Sequence, residues 1–269
     1  MVADDALTGG VDELQSAAYP ILEYDNARDA VVEPSRIIRR LGGLPERAVM
    51  CFFHEVIERA CGDGRATVAT HLRSEIGTHP VYDFDAGNGR RVVVFHPGVG
   101  APLAAGHMEE VIALGCRGFV ACGGAGAVIP GLALGHVIVP TAAVRDEGTS
   151  YHYLPPDREV AADPRDVAVA VGVLERHGIP HLVAKTWTTD APYRETPARI
   201  ARRSEEGCVT VEMETAAFLA VARHRGVRFA QYLYAGDDVS GEAWDHRSWQ
   251  TSGAREQLFH LAVEAALEL

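Results

Sequence analysis

Short apolar runs of strand length alternate along the chain with stretches whose apolar residues recur every three or four positions. RVVVFHPGVG, residues 91–100, is a compact valine-rich run stopped by glycines. APLAAGHMEEVIALG, 101–115, then keeps helical spacing as far as Gly115, a residue suited to a helix C-cap. The phrase repeats at once in GFVACGGAGA, 118–127, another apolar run ending in a glycine loop. The pattern next predicts a strand at 136–144, a helix at 166–177, a strand at 182–187 and a helix around 198–206. A short apolar run ending in EMET follows, then a strand at 228–235 and a closing helix from about 254 to 267. ERAVMCFFHEVIERAC, 46–61, also shows helical spacing and predicts an amphipathic helix. Up to about residue 40 the pattern is irregular.

Strands alternating with helices predict an α/β fold: three layers, α/β/α, around a central, mostly parallel but mixed, twisted sheet. No low-complexity linker or repeat divides the sequence, so a single domain over 1–269 is expected. Within it, 1–40 forms an irregular, loosely attached N-terminal portion and 41–269 the core. Ligands of such sheets sit at the carboxyl ends of strands. That rule places GVGAP, GGAGA, TTDAPYRET, EMET and AGDD near one rim.

Composition narrows the partners. With 47% hydrophobic and 23% charged residues the chain resembles ordinary globular proteins. Its net charge of -12 argues against a nucleic-acid partner. Lys185 is the only lysine, a bias spread along the whole sequence. The five cysteines are scattered, show no C-x-x-C spacing and read as reduced thiols. HEVIER at His54 lacks the second histidine of H-E-x-x-H, so no metal site is expected. From residue 118 to 144 there is no charged residue, but six glycines and two prolines interrupt that run. It therefore reads as buried strands, not a membrane span. The N-terminus is acidic and short of apolar residues, unlike a signal peptide, and a cytoplasmic protein with no membrane partner is expected.

Three groups carry candidate chemistry. Gly98, Gly100, Gly123, Gly124 and Gly126 let backbone N–H groups approach an anion or a sugar, or simply make tight turns. Glu212 and Glu214 flank Met213; their oxygens suit the vicinal hydroxyls of a pentose, and equally the N-terminus of a helix. Asp237 and Asp238 end an apolar strand, where an aspartate can serve as general acid or shape a turn.

Together these pieces are similar to a known family. VEMETAAF resembles the E-M-E-[ST]-A signature of the nucleoside phosphorylase and nucleosidase superfamily, the uridine phosphorylase and bacterial purine nucleoside phosphorylase type. GVGAPLAA, CGGAGAV, HVIVPTAAVRDEGTS and GDD resemble further motifs of that family in the same order, from about residue 31 to the C-terminus. The resemblance implies a nucleoside phosphorylase-like fold and cleavage of an N-glycosidic bond. It implies that Glu214 holds the ribose hydroxyls, with Met213 against the sugar and Glu212 in the same pocket. Asp237, with Asp238 second by register, would supply a proton or hydrogen bond to the leaving base. The loop TTDAPYRET would contact the base through Asp190, Tyr193, Arg194 and Glu195. It lacks the Gln-x-Arg pair of uridine-cleaving relatives, which together with Asp237 leans toward a purine.

Phosphate is where the sequence departs from the family. The P-G-D-P-x-R loop corresponds by eye to VVEPSRI, which keeps Arg36 but loses Gly-Asp. Ala121 stands where the family has an arginine, and Gly124 where it has a threonine. Arg73, in HLRSEIG, matches an arginine lent by a neighbouring subunit; His96 and Arg145 remain unassigned candidates. Phosphate contacts are thus expected at Arg36, Arg73, Gly98 and Gly124. The favoured expectation is a homo-oligomeric nucleoside phosphorylase, dimer or hexamer, a pentosyltransferase using inorganic phosphate as co-substrate without organic cofactor or metal. The alternatives are a nucleosidase using water, a non-catalytic nucleoside sensor, and an enzyme of specialised biosynthesis acting on a modified nucleoside.

Overall fold

A computed structural model of the protein describes residues 14, 16–62, 64–247 and 252–269. The acidic stretch that opens the sequence lies outside them. In chain order the described strands are β1 (Arg47–Cys51), β2 (Ala66–Ser74), β3 (Gly77–Gly87), β4 (Arg90–Phe95), β5 (Gly118–Ala127), β6 (Val137–Asp146), β7 (Glu159–Ala161), β8 (His181–Thr189), β9 (Cys208–Glu212) and β10 (Arg228–Asp238). The helices are α1 (Pro34–Ile37), α2 (His54–Gly62), α3 (Ala101–Leu114), α4 (Pro164–Arg176), α5 (Pro197–Glu205), α6 (Thr215–Arg225) and α7 (Ser252–Glu268).

The strands form one mixed sheet with helices on both faces, the expected architecture. Side chains alternate across it, as the two-residue period of a strand requires. Along β1, Val49 and Cys51 join the core under α2, α4 and α7, with Val56, Leu174 and Phe259. Ala48 and Met50 join the opposite core under α3 and α6, with Met108 and Phe218. Because both faces are covered, central strands read as unbroken apolar runs.

The same double burial overturns the helix expected at 46–61. The structure divides that segment into β1, a Phe52–Phe53 turn and α2. β1 pairs in parallel with β4 on one side and β5 on the other. Two neighbours supplying backbone hydrogen bonds outweigh local helical spacing, which an unbroken apolar run satisfies as readily as it satisfies a strand. The antiparallel hairpin of β2 and β3, and the short β7, were not in the predicted pattern. Described residues near the end of the N-terminal portion are tied to the core. Leu41 N–H bonds to Leu114 C=O, and the buried Glu33 pairs with Arg225, which also grips Glu109. Among the described residues no helix is long and apolar enough to cross a membrane.

Topology creates a gap. β5, β10, β6, β8 and β9 each pair with the next, and β9 pairs back to β5, closing a ring. One edge of β5 therefore serves two strands in turn: β1 as far as Cys122, then β9 from Gly126. Gly123, Gly124 and Ala125 lie between, where the sheet splits. β4, β5 and β10 enter this split from one direction, and β8 and β9 from the opposite one. The five motifs expected on one rim thus meet across the split instead.

Two glycines shape the loop after β4. Gly98 has φ +85°, and a Cβ there would lie 2.5 Å from Leu103 Cδ2; Gly100 has φ +90° but open space around it. Gly98→Ala is expected to lower stability by about 1–3 kcal/mol, and more than Gly100→Ala, as urea unfolding midpoints would show.

Candidate active site

The split in β5 collects the acidic residues. β9 delivers Glu212 beside Thr188 of β8, and the chain turns through Met213 and Glu214 into α6. Glu212 is buried and fully engaged. Its Oε1 accepts the Thr188 hydroxyl at 2.6 Å, and its Oε2 accepts the N–H groups of Glu214 (2.7 Å) and Thr215 (2.6 Å). It caps the first turn of α6, satisfying amides that a helix start leaves without partners. Its expected share in a sugar pocket therefore reduces to holding its neighbours in place.

Glu214 is placed differently. It is buried, and its Oε1 accepts the Gly100 N–H at 2.6 Å, tying the loop after β4 to the start of α6. Burial, followed by the charge of Glu212, pushes its carboxyl up to about 8. Glu212 is also raised by burial, opposed by its Thr188, Thr215 and Glu214 bonds. Of the two, Glu214 is the one that holds a proton near neutrality. Met213, half-buried, lies between them.

Asp237 approaches from the other direction. A bulge at Gly236 shifts the register of β10, so Asp237 pairs with Gly126 of β5. Its Oδ2 accepts the Trp244 indole N–H at 2.7 Å. Asp238 is committed elsewhere: Oδ1 accepts the Ser240 N–H and hydroxyl, and Oδ2 an Arg247 N–H at 2.7 Å. Burial would raise Asp238, but Ser240 and Arg247 outweigh it and hold the carboxyl below its ordinary value. Of the two adjacent aspartates, Asp237 is the less engaged, with one bond from an exposed indole against three on Asp238.

The loop after β8 separates its candidates. Tyr193, on the tight turn Pro192–Arg194, is 99% exposed, and Arg194 is exposed beside it. Asp190 Oδ2 accepts the Gly148 N–H at 2.8 Å and pins the loop to the turn after β6. Only Glu195 turns back, half-buried. Burial, and then the charge of Asp237, raises it to about 7.

The nucleophile end departs most from expectation. Arg36, on α1, is exposed and ion-paired with Asp29 at 2.9 Å. What stands between the two glycine loops at the end of β1 is Phe52. Its N–H bonds to Cys122 C=O, its ring would contact a Cβ on Gly123 at 2.9 Å, and it packs against His96 with 5.8 Å between centroids. His96 Nδ1 accepts the Gly98 N–H at 3.0 Å, an acceptor role only an unprotonated nitrogen fills. Ala121 is fully buried, while Gly124 is exposed in the gap. Arg145 is buried and spent on Ser150, Pro155 C=O and the Tyr151 ring. Arg73 lies exposed on β2 without a partner among the described residues. Phe52 escaped sequence reading because the helix assigned to 46–61 hid a strand end. Trp244 stood in the same stretch as the two aspartates, with only its aromatic character to mark it. A separate cavity of 790 Å³ lies between the N-terminal segment and α3, and of the site residues expected from the sequence it includes Asp190 alone.

This geometry can be set beside known proteins. The model of the phosphorylase superfamily matches residues 46–268. Guanosine phosphorylase of Halorubrum lacusprofundi is 29% identical over 188 residues, 68% of this chain and 78% of that protein. Uridine phosphorylase of Salmonella typhimurium is 31% identical over 155 residues, 52% of this chain and 61% of that protein. The crystal structure of purine nucleoside phosphorylase from Toxoplasma gondii superposes with a TM-score of 0.73 at 18% identity, covering 84% of this chain and 91% of that one. With a family model spanning β1 to α7, and the acidic turn and glycine loops meeting in one split of the sheet, the chain belongs to the phosphorylase superfamily.

Proposed function

We propose that this protein cleaves the N-glycosidic bond of a nucleoside, passing the pentose to inorganic phosphate and releasing the free base. The observation that carries the reading is the placement, on the open stretch of β5, of a buried carboxyl at Glu214 and of Asp237, whose carboxyl is bonded only by the exposed Trp244 indole among the described residues. Glu214, oriented by Gly100, accepts the vicinal hydroxyls of the sugar, with Met213 beneath it. Positive charge grows on the pentose as the bond breaks, so a carboxylate held there acts most strongly in the transition state. Asp237 meets the base, and Glu195 stands behind it.

For phosphate, the exposed glycine edge at Gly124 and the loop at Gly98 offer backbone N–H groups. The chain's own Arg36 is paired away, so the cation falls to Arg73, lent by a second copy in a homo-oligomer, dimer or hexamer, acting in the cytoplasm. The guanosine and uridine phosphorylases among its relatives support phosphate as co-substrate. Hydrolysis is the second reading, favoured by one observation: an apolar ring, Phe52, stands against Gly123 beside the glycine loops. Such a neighbour offers an anion no charge-assisted bond.

Three outcomes test the reading. Base release from purine nucleosides and uridine should accelerate with added phosphate; a rate independent of phosphate would transfer the assignment to hydrolysis. Glu214→Ala should lower kcat/KM by about 100-fold or more, the cost of losing two bonds to a charged acceptor. Glu214 keeps its proton up to about 8 and accepts both hydroxyls only when ionised. KM measured across the range should therefore fall as pH rises toward 8, and Glu214→Gln should remove that dependence.

A further inference from the structure

Beyond Asp237, the chain after β10 turns back on itself. Asp238 and Asp245 exchange both backbone hydrogen bonds at 2.9 Å, and the Asp238 carboxylate holds Ser240 and Arg247. This closed loop presents Trp244, whose indole N–H lies on Asp237 Oδ2 while the ring remains 58% exposed. Both oxygens lie over β5: a Cβ on Gly126 would be 3.4 Å from Oδ1 and 3.7 Å from Oδ2. Oδ2 is the one that carries a donor, the indole N–H. An indole N–H is a planar aromatic ring N–H, the same kind of donor as the ring N–H of guanine, hypoxanthine or uracil.

Resting on the reading of Asp237 as the group that meets the base, we infer that Trp244 is a positioning residue of the base pocket. In the free protein its indole N–H occupies the Asp237 oxygen that a heterocyclic base takes in the complex, and its ring then covers that base. The exchange is balanced: one N–H···O bond is replaced by another, and no covalent bond changes. The ring can leave at small cost, because among the described residues its aromatic neighbour is His246, 5.7 Å between centroids, and most of the residue faces water. While seated, the indole gives the Asp237 carboxyl its N–H donor. Once displaced, it offers a large apolar face to a flat heterocycle.

The test uses tryptophan emission in a Trp249→Phe background, where Trp187 is fully buried and bonded to Asp146. Titration with guanine, hypoxanthine, adenine, uracil and their nucleosides should change the emission, and Trp244→Phe should abolish the change. Trp244→Phe keeps the ring and removes the competing donor, so KM for the nucleoside should fall by about three- to tenfold, with kcat changed by less than about twofold. A merely structural residue would instead lower kcat or stability. No emission response to any of these compounds, or a variant KM equal to or above the parent's, overturns the inference. The emission arm stands even if Trp244→Phe does not fold. Failure of the glycosidic reading looks different: no base released from any nucleoside while emission still responds.

Discussion

A carboxyl taken out of water must be met by donors, and at Glu214 that need joins the two halves of the site. Its bond to Gly100 N–H links the loop after β4 to the first residues of α6, which arrive from opposite directions. Without it the split in β5 would be a gap between strands. With it, one loop, one helix start and one open strand edge are fixed together. Glu212 makes this possible by taking the helix-start amides itself, which frees Glu214 from capping. Two glutamates a single residue apart divide the work: one braces, the other faces the opening.

The arginines follow a similar economy. Arg145, Arg203 and Arg225 are held among internal carbonyls and carboxylates, where a planar guanidinium with five donors can join several chain segments. They hold the scaffold around the site and contribute no free cation to it. The split is consequently acidic at Glu214 and Asp237 and apolar at Phe52. In a chain of net charge -12, the field of the chain itself does not favour an anion.

Much of the scaffold was legible in the pattern. β4, β5, β6, β8 and β10, with α3, α4, α5 and α7, fall close to the predicted spans, since the helices space their apolar residues and the strands stand as short apolar runs bounded by glycine, proline or charged residues. The miss at 46–61 has the opposite cause: AVMC is apolar at every position, so no period could show. The edge hairpin β2–β3 was missed because its solvent-facing residues dilute the apolar signal. Around the site, the motifs singled out both acidic pairs, Glu212 with Glu214 and Asp237 with Asp238. They could not show that Glu212 and Asp238 were already spoken for, or that Arg36 had a partner in Asp29.

Sequence alone determined the order of elements, the glycine loops and the acidic turn, because these are local choices of backbone freedom, period and capping. Tertiary structure decided where β5 loses its neighbour, which of each acidic pair is free, and that an aromatic ring, not an arginine, stands between the glycine loops. Those outcomes depend on strand pairing and on competition among distant donors for the same oxygens, and no spacing along a chain records who wins such a contest.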